Sequence, residues 1–350
     1  MELSSLLAQM LERNATDLHL VVGVPPIFRQ DGCLTPAPPP NLTAEDLEAL
    51  LKTSLPEDKL ESAQSGHDFS ATLHQDTRAF HCRVFRDQGA LCAAIRLVPE
   101  RIFRLDEMHL PLIFEKLTHC RRGLILVAGP MGSGKTTTLF SMLEQINLTR
   151  SERIITIESR LNYLLRSKLS LVTQCIVGED VESCESGLRS ALLSDPDVLF
   201  VDSLRTSEAA HLVLEAAEVG HLVFAQITAD TAAEAINQLL GLLGEPSDAA
   251  RRLLARTVQA VIAQRLLNRC DSKGRVAANE ILLATPRVAQ MIRDGQTEPN
   301  LLELAMDAAR STGMQTMDNA LVKLKNDGII SRETAVSHLK NQTRLGDATF

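Results

Sequence analysis

The residues most suited to chemistry are Lys135 and Thr136, which close the run Gly129-Pro-Met-Gly-Ser-Gly134-Lys135-Thr136 and satisfy the pattern G-x-x-x-x-G-K-[ST]. The run sits between an apolar, strand-length stretch (Gly123 to Ala128) and a helix-forming one, and phosphate binding needs that placement. The glycines let successive backbone N–H groups converge on phosphate oxygens, and the helix start adds partial positive charge. Lys135 is then placed to reach the β and γ phosphates, and the Thr136 hydroxyl to ligate Mg²⁺. The expected nucleotide-binding set is Gly129, Pro130, Met131, Gly132, Ser133, Gly134, Lys135, Thr136 and Thr137, with ATP and Mg²⁺ as ligands.

A second signal is Asp197-Val-Leu-Phe-Val201-Asp202, apolar residues followed by an acid that would hold Mg²⁺ through water. Such strands usually continue with a Glu that orients or deprotonates the attacking water, and Ser203 stands there instead. A Ser hydroxyl at neutral pH is not a useful base. Asp202 is no simple substitute, because neighbours on a strand point to opposite faces. The bland reading, a core strand ending in a turn, accounts for the same run.

The elements that must position these groups follow from pattern. Leu6 to Leu11 reads as a short amphipathic helix, and Asp17 to Val22 and Ile27 to Gln30 as strands, the second ending in the hairpin signal Asp31-Gly32. The run Pro36 to Pro40 must be a surface connection. Thr43 and Asp46 form a capping box, and Phe80 to Phe85 and Ala90 to Leu97 are further strands. Beyond Pro111 strands and helices alternate: strands at 123–128, 153–158, 197–201 and 221–227, helices at 137–145, 185–194 and 208–220. That alternation implies a parallel sheet with helices on both faces. From Pro286 the chain reads as mostly helical, with helices at 316–326 and from Ser331.

Bulk numbers narrow the class. The 350 residues, 45% of them hydrophobic, allow two cores. A net charge of −8 argues against a general nucleic-acid-binding surface. No window has the roughly 18 consecutive apolar residues of a membrane span, and the N-terminus lacks a secretory pattern. Seven cysteines without a C-x-x-C pair disfavour a zinc site or disulfide framework and fit a reducing cytosol.

These residues resemble the type IV pilus retraction ATPases, the PilT/PilU branch of the type II/IV secretion ATPases, over nearly the whole chain. The resemblance rests on Asp17-Leu-His-Leu20 with Gly23-x-Pro-Pro and Asp31-Gly32, on Ile155-Thr-Ile-Glu158, and on Asp195-Pro-Asp197, Arg205 and Glu208. Gly220-His221-Leu-Val-Phe224 and Gly313-Met-Gln-Thr-Met-Asp318 complete it. It implies a small PAS-like α/β domain (1–98), a linker (99–111), a RecA-like P-loop ATPase core (112–285) and a helical C-terminal region (286–350). It also implies a cytoplasmic, ring-shaped hexamer, homomeric or mixed with a related retraction ATPase, working at the inner membrane through a pilus platform protein.

Departures fall on the resemblance's own chemical positions. Where the family reads Glu-Asp-Pro this chain reads Glu158-Ser159-Arg160, and where it reads Gly-Glu this chain reads Asp202-Ser203. The second histidine of the family's His box is Thr228, leaving His221. Glu158 and His221 remain as the catalytic candidates. A family arginine ahead of the linker corresponds to His81, with Arg83, Arg86 and Arg96 nearby as the groups that would reach nucleotide on a neighbouring subunit. The expectation is a motor or motor-accessory subunit that binds ATP and hydrolyses it poorly. The alternatives are a fully active motor whose catalytic groups have moved, with Glu158 or Asp202 as base, and an ATP-stabilised adaptor without a motor role.

Overall fold

The computed structural model describes residues 2–30, 32–55, 57–244, 247–271 and 274–340. The chain packs as two units, Met1–Arg101 with Arg160–Leu164, and Ile102–Ser159 with Leu165–Phe350. The return of 160–164 to the first unit, where the Leu164 N–H donates to the Pro99 carbonyl (3.3 Å), has no counterpart in the sequence pattern.

In the first unit α1 (Leu3–Glu12) precedes β1 (Asp17–Leu20), β2 (Ile27–Gln30) and β3 (Cys33–Pro36). Helices α2 (Ala44–Lys52) and α3 (Glu57–Gln64) lead to β4 (Phe69–Gln75), β5 (Arg78–Asp87) and β6 (Ala90–Leu97). The six strands form an antiparallel sheet ordered β3-β2-β1-β6-β5-β4. Leucines 3, 6 and 7 of α1 and 47, 50 and 51 of α2 share one core with Leu18, Phe28, Phe80 and Val84 of the sheet. The α2 capping box forms as the sequence predicts, the Asp46 N–H donating to Thr43 Oγ1 (3.1 Å) and the Thr43 N–H to Asp46 Oδ2 (3.0 Å). Two boundaries differ. Strand β1 stops at Leu20, short of a turn where Gly23 takes φ +90° and donates its N–H to the Leu42 carbonyl. Pro36 still pairs in β3, tolerable because β3 is an edge strand. Gln30 pairs with Cys33 across the expected hairpin, whose Asp31 lies outside the described residues.

The second unit opens with α4 (Ile113–Thr118), β7 (Gly123–Ala128), α5 (Lys135–Thr149), β8 (Arg153–Glu158) and β9 (Leu171–Ile176). Next come α6 (Cys184–Leu192), β10 (Val198–Val201), α7 (Ser207–Val219), β11 (Leu222–Ile227) and α8 (Ala232–Leu242). Helix α9 (Asp248–Thr257) leads into β12 (Val258–Asn268) and β13 (Arg275–Leu283). Four helices follow, α10 (Pro286–Arg293), α11 (Pro299–Ala308), α12 (Met317–Asn326) and α13 (Arg332–His338); residues 341–350 lie outside the described set. The sheet runs β13-β12-β7-β11-β10-β8-β9 and is parallel except for β13. Strand β7 is buried at every position, as a parallel strand covered on both faces must be. The strands that sequence alternation does not predict, β9, β12 and β13, lack such a run: β9 is a half-exposed edge, and β12 and β13 carry Gln264, Asn279 and Glu280 among apolar residues.

Strand alternation sorts the sheet into two faces. Ile155, Ile157, Leu199, Val201, Val223 and Ala225 pack in one cluster with Leu188 of α6, Val213 of α7 and Ile236 of α8. Phe200 points the other way, its ring edge-on to Phe140 of α5 with centroids 5.4 Å apart. Because both rings are fully buried, Phe140→Ala is expected to cost about 3–5 kcal/mol of unfolding free energy in a denaturant titration. A loss under about 1 kcal/mol, far below that range, would contradict this packing.

Candidate functional site: the phosphate loop and the carboxyl edge of the sheet

The glycine-rich run joins the carboxyl end of β7 to the start of α5. Gly132 and Gly134 take φ +79° and +86°, a left-handed backbone that favours glycine. A Cβ on Gly129 would lie 2.5 Å from the Gln264 carbonyl oxygen and 2.5 Å from Ser133 Oγ, so the loop folds too tightly there for any side chain. The first intrahelical bond of α5 runs from the Thr138 N–H to Gly134 O, leaving the Lys135 and Thr136 amides outside the helix ladder, where a phosphate can take them. Ser133 Oγ is buried and has no hydrogen-bond partner among the described residues.

Three side chains fix this shape. Lys135 Nζ folds back to donate to the carbonyls of Gly129 (2.6 Å) and Pro130 (2.9 Å), and burial lowers its pKa. Gln264 of β12, 1% exposed, donates from Nε2 to the Ser133 carbonyl (2.8 Å) and accepts at Oε1 from the Thr138 hydroxyl (2.9 Å). Gln226 of β11, 5% exposed, brings its amide within 3.3 Å of Thr136 Oγ1. Met131 lies fully exposed at the loop tip.

Register aligns the polar groups. Phe200 is level with Thr156 and Phe224, and Gln226 with Val127. Two residues beyond Thr156 and Phe224, on the same α5 face, come Glu158 and Gln226, with Asp202 level with them just past the end of β10. They make one row at the carboxyl edge, beside the loop. Asp202 is anchored by Ser159, whose N–H (2.7 Å) and hydroxyl (2.5 Å) both donate to Oδ2; Oδ1 accepts no hydrogen bond among the described residues. Glu158 is fully buried, and its Oε1 accepts from Thr156 Oγ1 (2.8 Å) and Gln174 Nε2 (2.9 Å). Ser203 Oγ accepts from Arg205 Nε (2.9 Å).

One expectation changes. His221 does not join the row. It precedes β11, its carbonyl accepting from the Gly123 N–H at the start of β7. Strand β11 then runs away from it, and at about 3.3 Å per residue the loop edge is about 20 Å off. Thr228, not His221, follows the end of β11 at that edge. Arg83, Arg86 and Arg96 belong to the first unit, where Arg83 pairs with Asp68 (3.0 Å), Arg86 reaches the Gly89 carbonyl and Arg96 pairs with Asp17 (2.7 Å). Burial, then the charges of Arg160, Arg96 and Arg83, lowers the His81 pKa, so this side chain is neutral at pH 7. Gln226 and Gln264 are the site residues no motif marks; the available signal was a glutamine inside each of the apolar runs Leu-Val-Phe-Ala-Gln-Ile and Val-Ile-Ala-Gln-Arg-Leu.

A parallel sheet with a phosphate loop after its β7 strand and polar groups along its carboxyl edge defines a RecA-like P-loop ATPase core. The family described as Type II/IV secretion system protein matches residues 7–333, and the chain belongs to it. It is 35% identical over 338 residues to the type IV pilus retraction ATPase PilT of Pseudomonas aeruginosa, covering 96% of this chain and 97% of PilT. It is 31% identical over 349 residues to the type IV pilus ATPase PilU of the same organism, covering 99% and 90%. A crystal structure of the pilus retraction motor PilT with bound ADP superimposes with TM-score 0.88 at 34% identity over 99% of each chain.

Gln264→Leu is expected to leave the Ser133 carbonyl and Thr138 hydroxyl unsatisfied, destabilising the fold by about 1–3 kcal/mol and weakening nucleotide affinity with it. Unchanged melting temperature and unchanged affinity would show that the loop holds its shape without this amide.

Proposed function

We propose that the chain binds ATP on residues 129–137 and serves as a subunit of a type IV pilus retraction motor or related secretion motor, hydrolysing ATP slowly. The observation that carries the slow turnover is the carboxyl-edge row. Glu158 is buried, Asp202 is anchored through one oxygen, and Ser203, where the family carries glutamate, is a hydroxyl held by Arg205. Losing a positioned base costs about 10²- to 10⁴-fold in rate. Nucleotide binding relies on other groups, the loop amides, Lys135 and Thr136, all of which are in place.

Magnesium fits the donor set. Thr136 Oγ1 and the Asp202 carboxylate are hard oxygen donors, and Mg²⁺ bound to a nucleotide draws its other ligands from phosphate and water. Among the described residues no group of three or more His, Cys, Asp or Glu side chains could hold an ion by itself. The cation, when bound, neutralises phosphate charge; Lys135 and the loop amides bind and orient the phosphates. The PilT and PilU likenesses support a hexameric ring, homomeric or mixed, at a pilus platform protein of the inner membrane. Among the described residues no helix is long and apolar enough to cross a membrane. In such a ring Arg83, Arg86 and Arg96 would approach nucleotide on a neighbouring subunit. A second reading, an active motor with Asp202 as base, draws on the Asp202 Oδ1 atom left open.

Lys135→Ala is expected to lower ATP affinity at least tenfold by titration with a fluorescent nucleotide; unchanged affinity would undo the loop assignment. Purified protein is expected to bind ATP with steady-state turnover far below the roughly 10 s⁻¹ of a median enzyme. Turnover near that value, lost in Asp202→Asn, would establish the second reading instead.

A further inference from the structure

The Thr136 hydroxyl is the protein's own hard ligand beside the phosphates, and something must orient it. To offer a lone pair to a divalent cation it must turn its proton toward an acceptor inside the protein. A carboxylate one strand away is the obvious candidate, and Asp202 stands in the row. Yet the hydrogen bonds of Asp202 go elsewhere: Oδ2 takes both the backbone and the hydroxyl protons of Ser159, and neither oxygen bonds Thr136. Gln226 occupies the place instead. It lies level with the last residues of β7, on the α5 face, nearly buried, with its amide 3.3 Å from Thr136 Oγ1. Its backbone carbonyl also accepts the Leu204 N–H (3.0 Å), which ties β11 to the loop after β10 and fixes where this amide sits.

We propose that Gln226 is a positioning residue for magnesium–ATP: its amide oxygen takes the Thr136 proton and leaves the hydroxyl lone pair turned outward for the cation. The inference rests on the nucleotide-binding reading of the loop and names the residue on which the metal dependence of that site turns. Because the acceptor is a neutral amide, it orients Thr136 without adding negative charge beneath the cation. A carboxylate at the same position would do both. The amide nitrogen has the opposite consequence: if it faces Thr136 it donates to the oxygen and competes with the metal for the lone pair. Orientation therefore matters, and the acidic isostere, which can only accept, separates the cases.

The experiment measures ATP affinity of the full-length protein by fluorescent-nucleotide titration, in magnesium and in EDTA, and takes the ratio of the two affinities. Residues that orient a metal ligand typically change metal affinity 10- to 100-fold when removed. Gln226→Met, which keeps the length and removes the acceptor, is expected to lower the ratio about tenfold. Gln226→Glu is expected to raise it above that of the unsubstituted protein and to lower the magnesium concentration giving half-maximal ATP binding. Circular dichroism melts of both variants confirm folding, and Gln226→Glu, nearly isosteric, carries the test if Gln226→Met does not fold. A ratio unchanged in both variants, or unchanged in Gln226→Glu alone when that is the only folded variant, overturns the proposal while leaving the nucleotide-binding reading intact. Absence of ATP binding by the unsubstituted protein overturns both.

Discussion

The loop that binds phosphate must present its amides outward, so its carbonyls have to be held inward by something that stays put. In this chain two groups do so. Lys135 caps the carbonyls of Gly129 and Pro130, but only until a phosphate draws its ammonium away. Gln264 caps the Ser133 carbonyl and also accepts the Thr138 hydroxyl, and it sits on a buried strand with no competing ligand. The close approach of Gly129 to the β12 backbone follows from the same contact, since the carbonyl that crowds Gly129 is that of Gln264 itself. An occupied loop would keep its shape largely through one neutral side chain donated by the neighbouring strand.

Around that anchor the carboxyl edge separates binding from bond breaking. Binding draws on backbone amides, a lysine and a threonine, and the row touches that set through the Gln226 amide at Thr136. Hydrolysis depends on an acceptor placed near the terminal phosphate, and at the carboxyl edge the chain carries Ser159, Ser203, Gln226 and Thr228 beside the carboxylates of Glu158 and Asp202. A neutral acceptor still orients a neighbour by hydrogen bonding, but it neither attracts a cation over distance nor removes a proton from water. The electrostatic difference is local, and the surrounding sheet need not change to accommodate it.

How much of this was legible in the sequence follows the same division. The phosphate loop, β7, β8, β10, β11 and the helices between them are written in spacing and apolar runs, and the loop motif named Lys135 and Thr136 directly. Gln264 and Gln226 left only a single polar letter inside a buried run, and what they touch depends on strands brought together from 126 and 90 residues away. The anchoring of Asp202 by Ser159 spans 43 residues and was likewise invisible. His221 failed for a geometric reason: a motif fixes distance along the chain, whereas the strand that follows His221 carries the next functional position to the opposite edge of the sheet.

The likeness to PilT, 34–35% identical over nearly the full length, is compatible with a different rate of chemistry because the two properties are encoded by different numbers of residues. Fold similarity at TM-score 0.88 averages over the whole chain, including two large apolar cores that tolerate much substitution so long as volume and patterning persist. The carboxyl edge involves a handful of side chains, and there Ser159, Ser203 and Thr228 stand where the resemblance expects Asp, Glu and His. Overall likeness therefore argues for the same nucleotide-dependent architecture, while the proposal of slow turnover rests on Ser159, Ser203 and Thr228.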